Sequence, residues 1–140
     1  MKITEQLANL RQLRLPEEEF VVVSSGALAI RGIRDAKDID VIVTESLWTE
    51  LAKKYEVTLN DWGVERLCLP HNIEILSPTQ SIFGNSKIVP LKDIFSKADV
   101  FNGIKFMNLE HLKLIKAKLG RPIDFQDIKL IDEYLSRNPA

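Results

Sequence analysis

Apolar residues fall into changing rhythms along this chain. Leu7, Leu10, Leu13 and Leu15 recur near helical spacing behind Thr4, which can cap a helix, and Pro16 stops the pattern, so a helix is predicted over residues 4–14. Phe20–Val23 is an unbroken apolar run rich in β-branched residues, the pattern of a strand covered on both faces. Residues 26–32, rich in Ala and Leu, predict a short helix, and Ile39–Val43 a second strand. Thr44 can cap a further helix through Lys54, because Leu47, Leu51 and Tyr55 recur every four residues.

Beyond Tyr55 the period shortens to alternation. Residues 56–59, Glu65–Leu69 and residues 72–76 read as strands parted by the turn signals Asp61-Trp62-Gly63 and Pro70-His71, which predicts an antiparallel meander on one side of a mixed sheet. Residues 77–90, with Pro78, Gly84 and Pro90, predict an irregular connection; residues 91–98 predict a helix, and residues 101–106 a turn or short strand around Asn102-Gly103. Asn108 caps a predicted helix over Leu109–Leu119, Gly120 ends it, and Pro122 opens a last helix with Ile128, Ile131 and Leu135 as its buried stripe. The predicted fold class is α/β, of the α+β kind: a small mixed sheet flanked by helices, closed by a C-terminal helical pair. A single domain is expected over 1–140, with its core at about 17–90 and its C-terminal helices at about 91–137.

Composition narrows the partners. The 140 residues are 45% hydrophobic and 28% charged, the balance of an ordinary globule. A net charge of −1, from 19 basic and 20 acidic residues, gives no global attraction to nucleic acid and favours small substrates. Cys68 stands alone, which rules out an intrachain disulfide, fits a reducing compartment, and in its strand setting predicts a buried, inert thiol. The N-terminus lacks an apolar signal core and no run approaches a membrane span, so a cytoplasmic protein with no membrane association is expected.

The candidate chemistry lies at Asp38 and Asp40. Side chains alternate across a strand, so the two carboxylates share one face while Ile39, Val41 and Val43 take the other. Like charges this close repel unless a cation lies between them, and hard oxygen ligands suit magnesium or manganese, which points to phosphate chemistry.

The run VVVSSGALAIRGIRDAKDIDVIV, from Val21 to Val43, resembles the signature of the nucleotidyltransferase superfamily, with its polymerase-β-like fold. Ser24 and Ser25 stand where that signature has Gly-Gly or Gly-Ser, and Asp38-Ile39-Asp40 is similar to its metal-binding strand. The resemblance implies a third carboxylate on a neighbouring strand; Glu74, within Asn72-Ile73-Glu74-Ile75-Leu76, fits that position, where the family more often has Asp. The segment KLGRPIDFQDI, with Lys116, Arg121, Asp124 and Asp127, is similar to a Lys, Arg and Asp-x-x-Asp helix signature of small bacterial nucleotidyltransferases, including abortive-infection toxin types and relatives of resistance enzymes.

Together the resemblances imply a magnesium- or manganese-dependent enzyme acting on a nucleoside triphosphate. Asp38, Asp40 and Glu74 would be its metal ligands and catalytic groups, and Ser24, Ser25, Lys116, Arg121 and Asp124 its nucleotide contacts. The acceptor hydroxyl would belong to a small molecule, a protein or a transfer RNA, with a partner subunit or second protomer completing the site. The alternative, prompted by Ser24 and Glu74, is a degraded member that binds nucleotide or protein without turnover, for example a toxin-antitoxin component.

Plainer roles stay open for the same residues. Asp38 and Asp40 could pair with Arg34 and Lys37 at a solvated strand end, Glu74 could lie on an open sheet face, and Ser24 and Ser25 could cap the next helix. Arg121, Asp124 and Asp127 could be an ion-pair cluster locking the last helices, with Lys113, Lys116 and Lys118 on a solvated face. His71 and His111 have no partner at metal-ligand spacing and are expected at the surface. Trp48 and Trp62 are expected to pack, because no basic cluster surrounds either.

Overall fold

The structure is a computed structural model describing residues 2–85 and 87–139. In chain order its elements are α1 (Ile3–Gln12), β1 (Phe20–Val23), α2 (Ser25–Ala29), β2 (Ile39–Val43), α3 (Glu45–Ala52), β3 (Val57–Leu59), β4 (Glu65–Leu69) and β5 (Ile73–Leu76). They continue with α4 (Leu91–Ser96), β6 (Asp99–Phe101), β7 (Ile104–Phe106), α5 (Leu109–Leu119) and α6 (Pro122–Arg137).

All strands join one mixed, seven-stranded sheet in the order β3-β4-β5-β2-β1-β7-β6. The expected meander is the antiparallel run β3-β4-β5, and β5 then lies parallel to β2. At the centre β2 runs antiparallel to β1, whose other edge meets β7 in parallel through Val22 and Phe106. The sheet therefore reaches past residue 90, into the segment expected to be largely helical. Asn102 and Gly103, at φ 52° and 80°, make the tight β6–β7 turn, since positive φ at both positions matches the twist of paired strands.

Alternation sorts the strand residues onto two faces. Val22, Val41, Val43, Leu67 and Ile75 face α1 and α3, which contribute Leu7, Leu10, Leu47 and Leu51. Val21, Val23 and Ile42 lie on the opposite face, beneath Ala27 and Leu28 of α2, Ile94 of α4, and Leu112, Ile115 and Ile131 of the helical pair. Thr44 and Asn108 cap α3 and α5 as expected, accepting from the backbone N–H of Leu47 and His111, and Gly120 ends α5 at φ 64°.

Two sequence expectations need correction. Lys2, without a side-chain cap, precedes α1, so Thr4 lies inside the helix rather than at its cap. Cys68 is exposed rather than buried: it alternates with the buried Leu67 and Leu69, and the helical layer on its face covers the middle of the sheet but not the β3–β4 border.

Candidate functional site

Asp40 is the one polar residue in the otherwise apolar Ile39–Val43 strand, and it faces away from the α1–α3 layer. Register places it beside Val23 on β1 and beside Glu74 on β5, so two carboxylates lie side by side on adjacent parallel strands. Asp40 Oδ1 is covered and has no hydrogen-bond partner. Burial, then the negative charge of Glu74, a side-chain hydrogen bond with Glu74 and the charge of Asp38 push the Asp40 carboxyl up to about 7, against an opposing effect of Arg66. Glu74 is bound by Arg66 Nη1 at 2.5 Å, and Cys68 sits directly across β4 from it.

These side chains open into a cleft of about 430 Å³, lined among others by Ser24, Asp40, Trp62, Glu74, Arg66 and Arg121. One wall is the segment after β5. There Ser77 and Ser81 are buried, their hydroxyls accepting backbone N–H bonds from Thr79, Gln80 and Phe83, and this holds the irregular connection in shape. Ser24 joins β1 to α2 at φ 58° and ψ −135°, a conformation that an L-residue rarely adopts; no side-chain hydrogen bond caps the helix there.

A continuous polar chain runs beside the cleft. Arg34 Nη2 donates to Ser25 Oγ at 3.1 Å, and the same guanidinium grips both oxygens of Asp127, at 2.7 and 2.9 Å. Lys116 Nζ donates to Asp127 Oδ2 at 2.8 Å and lies 3.6 Å from Asp124 Oδ1. Asp124 is bound in two places by Arg121, at 2.7 and 3.0 Å, and also accepts from the Arg121 backbone N–H, closing a capping box at the start of α6. The Arg121 guanidinium then lies 5.2 Å from the centre of the Trp62 ring.

Burial alone would raise both aspartates. For Asp127 the bonds from Arg34 and Lys116 outweigh it, and for Asp124 those from Arg121 do, so both carboxyls are held below their usual range.

The structure thus brings Ser24, Asp40, Glu74 and Arg121 to one cleft. Ser25, Lys116 and Asp124 belong to the polar chain behind it, with Lys116 and Asp124 buried, and Asp38 is exposed just ahead of β2. Arg34 is engaged by Asp127 and not by Asp38 or Asp40. Lys113 pairs with Asp132, and His71 is exposed as expected. Trp62 is 60% exposed at the cleft, against the expectation that it packs, whereas Trp48 packs against the core. Sequence reasoning missed the sites of Arg66 and Trp62; the signal for Arg66 was the period-2 spacing that puts it on the face of Glu74.

Among the described residues no three His, Cys, Asp or Glu side chains form a ready metal cage. The pair does fit a hard cation of another kind. Magnesium is commonly held by one or two carboxylates, with waters and substrate phosphates completing its shell, and the unpartnered Asp40 Oδ1 beside Glu74 offers that donor set.

No protein-family model and no curated protein matches the chain. Among solved structures the chain is similar to a “putative nucleotidyltransferase” of Thermotoga maritima, at 19% identity and a TM-score of 0.57, over 99% of this chain and 97% of that one. The fold is nucleotidyltransferase-like, a mixed sheet with its C-terminal helical pair.

Proposed function

We propose that the protein transfers a nucleotidyl group from a nucleoside triphosphate to a hydroxyl of an acceptor. The observation that carries this reading is the Asp40–Glu74 pair: two carboxylates on adjacent strands, one with a covered oxygen that nothing in the protein satisfies, opening into a cleft beside Ser24 and Arg121. A covered carboxylate oxygen left without a partner costs stability, and a ligand in the cleft would complete it.

In this reading Asp40 and Glu74, with Asp38 at the strand start, hold magnesium or manganese, which when bound offsets negative charge on the triphosphate. Ser24 and Arg121 orient the phosphates from the rim, and Lys116 and Asp124 act from behind by fixing Arg121. The acceptor oxygen forms a bond to the α-phosphorus as the bond to the pyrophosphate leaving group breaks, and the hydroxyl proton passes to the carboxylate pair. The acceptor is a small molecule, a protein or a transfer RNA, and a second subunit supplies its binding surface.

A thermal-shift titration with each nucleoside triphosphate, with and without magnesium or manganese, tests the site, because a ligand that binds only the native state raises apparent stability by mass action. A metal-dependent rise is expected in the wild type and none in Asp40→Asn; an equal rise in both sinks the assignment. The Arg66–Glu74 ion pair favours a second reading, binding without turnover, because Arg66 already neutralises one of the carboxylates. Nucleotide binding with no pyrophosphate release toward any acceptor class selects that reading.

A further inference from the structure

We propose that Trp62 is the stacking platform for the base of the bound nucleotide, backed by Arg121, an assignment that rests on the nucleotide reading of the same cleft. Trp62 sits in the β3–β4 turn and is 60% exposed, although burying an aromatic ring of this size is among the larger gains open to a side chain. Its position is nonetheless fixed. Asn60 Oδ1 accepts from the backbone N–H of both Trp62 and Val64, so the turn is built around the residue that carries the ring.

The ring also has a cation over it. Arg121 lies 5.2 Å from its centroid, and Arg121 is itself oriented by two hydrogen bonds to the fully buried Asp124. A guanidinium over a ring that stays largely exposed at the rim of a cleft leaves aromatic surface free for a flat ligand. Trp62, Arg121, Asp40 and Glu74 line one cleft. A nucleotide can therefore place its phosphates toward the carboxylates and its base on the indole. Stacking of this kind accepts any base, because every base has a π-face, so the four nucleotides should differ little.

Calorimetric titration of wild type, Trp62→Phe and Trp62→Ala with the four nucleoside triphosphates and with inorganic tripolyphosphate, all with magnesium, tests the assignment. Trp62→Ala is expected to weaken nucleotide binding by roughly five- to a hundredfold while leaving tripolyphosphate binding unchanged, and Trp62→Phe to keep most of the affinity. Three results overturn it. If Trp62→Ala binds nucleotides as the wild type does, the platform is wrong and the phosphate site stands. If it weakens nucleotide and tripolyphosphate alike, Trp62 supports the cleft rather than the base. If the wild type binds neither, the nucleotide reading falls and the platform with it.

Discussion

Asp40 on β2 and Asp127 on α6 are both aspartates removed from bulk water, yet their surroundings push them in opposite directions. Asp127 meets Arg34 and Lys116, and its carboxyl is held below the ordinary range. Asp40 meets another carboxylate, with one oxygen unbonded, and its carboxyl rises to about 7. Burial is common to both. What separates them is whether the fold itself supplies the counter-charge: it does for Asp127, and for Asp40 it supplies a second carboxylate instead.

The contrast can be broken by substitution. Asp127→Ala leaves Arg34 and Lys116 without their shared partner and should cost about 3–5 kcal/mol of stability in chemical denaturation at neutral pH. Asp40→Asn should act in the other direction, raising stability on the order of 1–3 kcal/mol at pH 8, with the gain fading toward pH 4. The sign follows from proton uptake. A carboxyl raised to about 7 holds its proton in the folded state but not in the unfolded one between pH 4 and 7, so stability falls as pH rises through that window, and Asp40→Asn should flatten the fall. The lowered carboxyls of Asp124 and Asp127 do the reverse: their stabilisation is present above about pH 4 and is lost as pH falls further.

Arg66→Ala removes a cation opposing the upward shift at Asp40 and should cost about 1 kcal/mol at pH 8, while carrying the decline in stability on to higher pH. Asp132→Ala breaks the more exposed pair with Lys113 and should change stability by only about 0.5 kcal/mol; a larger loss would show that exposure is a poor guide to which ion pairs matter here.

The sequence made some of this legible through local rules. Thr44, Asn108, Gly120 and Pro122 are punctuation that acts within a turn of the chain, and they mark α3, α5 and α6 nearly to the residue. Asp40 could be read because a charge in an apolar strand breaks a period of two. Arg34 with Asp127 could not, since 93 positions separate them and only the completed fold brings them together. Trp62 was hidden for a related reason: the cation over its ring, Arg121, arrives from the far end of the chain, so nothing nearby in sequence marked it as more than packing. The thiol of Cys68 shows the limit of composition, because a residue type that usually prefers the interior was placed by strand parity on a face left uncovered.

The place of β1 in the sheet has a bearing on how the chain is made. This Phe-Val-Val-Val strand is synthesised some eighty residues before β7, which closes one of its edges and ends at Phe106. Until then a short, apolar strand has an open row of backbone groups, the kind of edge that recruits other chains. A polypeptide halted before the β6–β7 turn should therefore be prone to self-association.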